Sequence, residues 1–505
     1  SIKDIPPHRV LALNRGEEEE ILQIKVEVSQ KKIFSLIREE VLKGDSIFKS
    51  KIIEAIEDSY KRLIAPSIAR EVRNKLTDQA EEHAIDVFGR NLRSLLLQPP
   101  LKGNIVMGID PGFRTGSKVC IVGERGNLLE TNTIYPHAPQ NKTKQAQNIV
   151  KNLIQKYNVE SIAIGNGTAS RETELFISNI IDKNLDVKYT IINEAGASVY
   201  SASKIGREEF PNLDVSMRGA VSIARRLQDP LAELVKIAPK HIGVGLYQHD
   251  VNESRLEESL EKVVESVVNY VGVDLNTASP SLLKYVAGIN SNVAENIVDY
   301  REENNGFSRR SELKEVYRLG PKTFTQAAGF LRIFSNQDPL ARTPIHPESY
   351  QETKKLVNSI DYQIEDIIDS SQLNQMKSIL NEIDIKKMSD KLEIGIPTLQ
   401  DIIKALKEPG RDPREELSQP IFRTDVLKLE DLEPEMVLQG TVRNVVDFGA
   451  FVDIGVKEDG LVHISELSHN YVEDPLDVVR VGDVVRVKIL NVDAKRKRIA
   501  LSMKI

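Results

Sequence analysis

Near the C-terminus of this 505-residue chain two phenylalanines, Phe448 and Phe451, stand three apart around Gly449, and rings presented at such a turn can stack unpaired bases of any identity. His463 can add a further stacking surface or a phosphate contact. Arg443 and the run Lys495-Arg496-Lys497-Arg498 carry the cationic charge that engages a nucleic-acid backbone. Side chains alternate between the two faces of a strand, so rings three apart share a face only if a turn or bulge intervenes; otherwise they are core. Two short turns, Val286-Ala287-Gly288-Ile289-Asn290 and Arg318-Leu319-Gly320-Pro321-Lys322, offer a different phosphate chemistry. Each precedes a helical stretch, whose orphan N–H groups and dipole can hold an anion. Gly288, Asn290, Gly320 and Lys322 mark the two turns, Lys322 with a charge of its own. The plainer account of both is a helical connection with a glycine at the helix end.

These groups need elements to position them. Residues 1–100 are charged and poor in glycine, with apolar residues at helical spacing in Ile52, Ile53, Ile56, Tyr60 and Leu63, which predicts a helical region. The breaker cluster Gln98-Pro99-Pro100-Leu101-Lys102-Gly103 reads as a linker. From Asn104 the pattern predicts three strands, 105–109, 118–122 and 128–134, then helices alternating with strands at 161–164 and 187–192, an α/β domain over 101–250. Residues 251–335 predict two tandem helical hairpins. Residues 336–430 predict a second helical domain and a linker marked by Pro409-Gly410-Arg411-Asp412-Pro413 and Pro420. Residues 431–505 predict five strands, the size of an OB-type β-barrel. The expected class is multidomain α+β.

Composition bounds the possibilities. A chain of this length divides into about three to five domains. The net charge of −7 argues against a protein that coats nucleic acid through a uniformly basic surface, so any binding must come from local patches. One cysteine, Cys120, excludes an internal disulfide and a cysteine-rich zinc ribbon, and His241, His249 and Asp250 are too scattered to suggest zinc. No apolar run approaches membrane-spanning length and no signal peptide opens the chain, which predicts a cytoplasmic location without a membrane partner. The start at Ser1-Ile2-Lys3 reads as a piece of something longer. The stretch Gly165-Asn166-Gly167-Thr168-Ala169-Ser170 follows a strand and opens a helix, but it lacks the lysine and spacing of a nucleotide-binding loop.

Longer runs carry resemblances. Gly440-Thr441-Val442-Arg443, Asp447-Phe448-Gly449-Ala450-Phe451-Val452, Gly460-Leu461-Val462-His463-Ile464-Ser465 and Arg498-Ile499-Ala500-Leu501-Ser502 together resemble the S1 family of RNA-binding domains, which implies that the two rings share a face. The two turns resemble helix-hairpin-helix units, departing from them where Asn290 and Lys322 replace a second glycine. Gly108-Ile109-Asp110-Pro111-Gly112, closing the first strand of the α/β domain, resembles the YqgF and RuvC branch of the RNase H-like fold. That match implies Asp110, Glu194 and Asp214 as catalytic carboxylates, able to hold two hard cations around a phosphodiester. Each has a structural reading as well, since Asp before Pro-Gly forms turns and Asp214 is a natural helix cap. In order, helices, YqgF-like domain, hairpins, further helices and S1 domain resemble the Tex family of bacterial transcription accessory proteins. The resemblance implies a nucleic-acid-binding scaffold for single-stranded RNA and also DNA, with RNA polymerase or the ribosome as protein partners. It implies no required cofactor. The alternatives are a nuclease dependent on Mg or Mn and a translation-linked RNA binder.

Overall fold

The computed structural model describes residues 2–44, 47–181, 187–334, 338–417, 421–422, 431–456, 458–493 and 496–505. They form two compact units, Ser1–Arg90 with Val244–Ser259, and Asn91–Gly243 with Leu260–Ile505.

The first unit is helical: α1 (Pro7–Glu18), α2 (Gln30–Val41), α3 (Lys49–Ser59) and α4 (Ala65–Leu96), the last continuing into the second unit. Pro7 opens α1 at a position where its missing N–H costs nothing. Ile56 and Tyr60 of the expected apolar stripe are buried, yet Leu63 is 56% exposed. A π-helical turn at Tyr60–Ile64 interrupts the regular spacing and carries Leu63 off the stripe. Arg73 bonds Glu17 at 2.7 Å, and Arg15 is paired with Asp250.

The second unit begins with a five-stranded sheet in the order β3-β2-β1-β4-β5, formed by β1 (Val106–Asp110), β2 (Ser117–Val122), β3 (Leu128–Ile134), β4 (Ser161–Gly165) and β5 (Lys188–Ile192). The first three strands are an antiparallel meander, and β4 and β5 continue it in parallel. Helices α5 (Thr143–Tyr157), α6 (Ser170–Ser178), α7 (Ala197–Ala202), α8 (Lys204–Glu209), α9 (Val215–Gln228) and α10 (Pro230–Leu234) accompany the sheet. Strands covered on both faces should read as unbroken apolar runs, and β2 and β4 are buried throughout. Ile109, Ile121 and Ile162 pack with α5 and α6 on one side. On the other, Val106, Cys120 and Ala163 pack with Ala220, Ile223 and Ala224 of α9. A side chain at Gly108 would meet the Ala224 Cβ at 2.8 Å, so the close approach of α9 to β1 depends on that glycine.

Beyond it come α11 (Glu253–Val271), β6 (Val273–Asp274), α12 (Pro280–Leu283), α13 (Ser291–Glu303), α14 (Pro321–Ala327) and β7 (Leu331–Arg332), with β6 and β7 paired in parallel. The first hairpin is α12 with α13. The second joins a 3-10 turn, Arg310–Glu315, to α14. Four more helices follow, α15 (Tyr350–Asn358), α16 (Ser370–Glu382), α17 (Ile385–Leu392) and α18 (Ile396–Lys407), around a core of their own. The chain ends in a closed barrel ordered β10-β12-β11-β8-β9, from β8 (Val437–Val446), β9 (Gly449–Asp453), β10 (Gly460–His463), β11 (Val484–Asp493) and β12 (Arg498–Ser502).

The two expected linkers are fastened to each other. Lys102 lies 3.4 Å from Asp412 and 3.2 Å from Glu415, and the buried Arg414 bridges Asp412 and Asp229, each at 2.8 Å. Breaker residues ended the helices as expected, but charges beside them bound the breaks together. Pro420 lies outside the described residues.

Candidate nucleic-acid interface

The barrel supplies the turn that the two rings require. Val446 pairs with Gly449, so Asp447 and Phe448 form the two-residue tip joining β8 to β9. Along β9, Ala450 and Val452 enter the core while Phe451 faces outward, half-buried. Phe448 meets it edge to face, with ring centroids 6.2 Å apart and planes at 86°. Gly449 makes this possible: its φ is +149°, and a Cβ there would overlap the Val462 carbonyl oxygen.

His463 stands directly across from Gly449 and is exposed. Its Nδ1 accepts the Ser465 N–H at 3.3 Å and lies 2.9 Å from the Ser465 Oγ. A nitrogen that accepts a backbone N–H carries no proton of its own, so neutral His463 presents Nε2–H as a donor. Phe451 opposes Leu461, and Leu461 opposes Ala500, which makes one row across three strands. Arg498 is two residues from Ala500 on the same outward face, at the end of the row away from His463. Arg496 and Lys497 are exposed at the preceding turn, Lys497 3.6 Å from Glu458. Lys495 lies outside the described residues.

Arg443 has a structural role as well: its guanidinium donates to Asp453 at 2.6 Å and to the Ile191 carbonyl oxygen of β5 at 3.1 Å, so it joins the barrel to the α/β sheet. A bulge between Val442 and Asn444 turns it that way.

The hairpins are also altered from expectation. Gly288 has φ +84°, as such a turn requires. Asn290, however, caps α13 by accepting the Val293 N–H at 3.0 Å, so its side chain occupies a donor that an anion would need. Gly320 caps α14 without a side-chain bond, Pro321 removes one N–H, and Lys322 is exposed. Sequence reasoning missed a third turn, Glu393-Ile394-Gly395 between α17 and α18, with Glu393 at φ +58°. Its signal was Gly395-Ile396-Pro397, a glycine followed by a proline in the first turn of a helix.

In the α/β domain two of the three carboxylates meet. Asp110 ends β1, and burial, reinforced by the charge of Glu194, pushes its carboxyl up to about 6. Burial also raises Glu194, against the pull of a Gly167 N–H bond. A Cβ at Gly167 would overlap the Glu194 carboxylate, so the Gly165-Asn166-Gly167 turn is a close cradle for that group. Asp214 is elsewhere: it is exposed and caps α9 through the Met217 N–H at 2.8 Å. The α9 residue that faces Asp110 is Gly219, where a Cβ would lie 3.1 Å from Oδ2. Among the described residues no three His, Cys, Asp or Glu side chains are grouped to hold a metal ion. The pair alone can share a proton, and one or two carboxylates can hold a hard cation when substrate phosphates and waters complete its shell.

Sequence comparison matches the chain, segment by segment, to the families described as Tex central region-like (residues 1–88), Tex protein YqgF-like domain (104–228), helix-hairpin-helix motif (268–332), HHH domain (338–414) and S1 RNA binding domain (431–504). It is 55% identical over 504 residues to the Bacillus subtilis protein YdcI, covering 99% of this chain and 70% of that one. The chain belongs to the Tex family. A Neisseria gonorrhoeae relative named transcriptional accessory protein Tex is 45% identical, covering 100% of this chain and 66% of its own length. A Homo sapiens relative, S1 RNA-binding domain-containing protein 1, is 39% identical, and the chain spans 57% of it. No helix among the described residues is long and apolar enough to cross a membrane. The HHH domain match over 338–414 includes the third turn.

Proposed function

We propose that this chain is a nucleic-acid-binding scaffold acting as a transcription accessory factor, in which the S1 barrel supplies most of the affinity for single-stranded RNA. The observation that carries the reading is the edge-to-face pair Phe448–Phe451 on the outer face of the barrel, beside the outward Nε2–H of His463. Rings so placed stack bases without selecting them, and Arg496 and Arg498 add a local attraction that the acidic chain as a whole lacks. The hairpins offer DNA a separate set of backbone donors, with Gly320 and Lys322 the better-equipped turn. Fluorescence anisotropy with a labelled single-stranded RNA tests the barrel: tight binding that survives loss of both rings defeats the proposal. Association with RNA polymerase rather than the ribosome is the partner expected, and co-sedimentation with ribosomes alone would move the role to translation.

For the α/β domain we infer a structural role in place of hydrolysis, supported by the diversion of Asp214 to a helix cap. Cleavage of duplexes, hybrids or junctions in Mg or Mn, lost in Asp110→Asn, would restore the nuclease reading.

A further inference from the structure

β5 is the outer strand of the sheet, and in a parallel ladder alternate residues turn their peptide groups away from the neighbour. The Ile191 carbonyl points outward in this way and accepts from Arg443 Nη2. Between that strand and the barrel lies a partly closed cavity of about 90 Å³, room for several waters, lined by Arg226, Arg443, Asn193, Thr441 and Asp453 with apolar walls such as Leu234.

Two guanidinium groups converge on it. Arg226 of α9, only 6% exposed, donates through Nη1 to the Asn193 and Ala195 carbonyl oxygens at 2.8 Å each. Its Nε is buried without a partner, and Nη2 has none among the described residues. Arg443 uses Nε and Nη2 on Asp453 and Ile191, leaving Nη1 without a partner among the described residues. Asp453, the acid of the lining, is already engaged by Arg443 and by the Gly455 N–H at 2.9 Å. Glu233 and Glu194 reach Arg226 only through space, and burial pushes its guanidinium down to about 10. Among the described residues Arg226, held out of water without a bonded counter-charge, is costly to bury, Arg443 has its one charge partner in Asp453, and a guanidinium edge fits an oxyanion in shape as well as sign.

We propose that this cavity binds a phosphate-sized oxyanion between Arg226 and Arg443. The ion is either free inorganic phosphate or the terminal phosphate of a nucleic acid. Because Arg226 belongs to the sheet side and Arg443 to the barrel, the bound ion fastens the RNA-binding barrel to the edge of the α/β sheet. The site is independent of the Phe448–Phe451 face, so it stands or falls separately from RNA stacking.

Thermal unfolding and titration calorimetry of the whole chain with inorganic phosphate, against chloride at equal ionic strength, test this. A saturable stabilisation is expected, lost in Arg443→Gln. Arg226→Gln also strips bonds from two carbonyls and endangers folding, so Thr441→Phe, which fills the cavity with both arginines in place, is the second variant. Affinity for a 5′-phosphorylated RNA is compared with that for the 5′-hydroxyl form. A severalfold preference for the phosphorylated end, lost in Arg443→Gln, identifies a nucleic-acid terminus; no preference together with phosphate binding identifies the free ion. No saturable effect of phosphate up to tens of millimolar, or an effect retained in either folded variant, overturns the proposal.

Discussion

The barrel and the α/β domain both match their families in sequence, yet they treat the residues that resemblance singles out differently. In the barrel, Phe448, Phe451 and His463 are held by a two-residue turn and by direct cross-strand register, so their placement follows once the strands pair. In the α/β domain, Asp110, Glu194 and Asp214 come from a strand end, a loop and a helix start, and their meeting depends on how α9 is set against β1. Gly219 stands where α9 meets Asp110, and Asp214 is used as a cap. A shared fold therefore does not by itself fix which residues do chemistry.

The sharpest way to break this comparison is to remove chemistry from each region in turn. Phe448→Ala with Phe451→Ala should weaken single-stranded RNA binding by roughly 2–6 kcal/mol, since stacking contributes about 1–3 kcal/mol per base. Asp110→Asn should leave it unchanged within a factor of about two. Equal losses by anisotropy would mean that the α/β domain belongs to the RNA site.

Gly449→Ala probes the geometry beneath the rings. The required φ and the overlap with Val462 predict a loss of at least about 2 kcal/mol in barrel stability by denaturant titration. A neutral result would show that the turn can rearrange, and the rings with it.

The carboxylate pair makes the opposite prediction. Asp110 binds its proton more tightly in the folded chain, near 6, than an unfolded Asp does near about 4. Its contribution to stability is therefore most favourable below about 4 and is lost as pH rises through about 6. Asp110→Asn should stabilise the protein at pH 7–8 by about 2 kcal/mol and flatten the dependence between about 4 and 6. A destabilised variant would mean that the ionised carboxylate makes a favourable contact.

Much of this was legible in the sequence, and what was not has physical reasons. Alternation over 437–446 and 484–492 announced the barrel, because its inner face must be apolar wherever the strands go. Apolar runs at 118–122 and 161–164 announced a sheet covered on both sides. The role of Arg443 could not be read, since its carbonyl partner lies 252 residues away in another domain. Asp214 and Asn290 had local signals, each standing before a helix, and in both the side chain caps that helix. The linkers at 98–103 and 409–413 were composed as breaks, and only the fold could show Lys102 facing Asp412.

The smallest expected effect separates positioning by stacking from attraction by charge. Arg496 is exposed at the turn before β12, with Asp493 3.9 Å away as a weak partner. If it contributes by displacing counter-ions, Arg496→Gln lowers RNA affinity by less than about 1 kcal/mol at physiological salt. The same change should reduce the slope of log affinity against log salt by somewhat under one. The loss should be the same for different base sequences, because a phosphate contact reads no base. Anisotropy titrations at several salt concentrations check this, with the Phe448→Ala, Phe451→Ala variant alongside. That variant should lose affinity at every salt concentration with its slope intact, since rings release no ions. A slope that falls with the rings and holds with Arg496 would invert the assignment, making the aromatic pair a scaffold for cations elsewhere on the barrel.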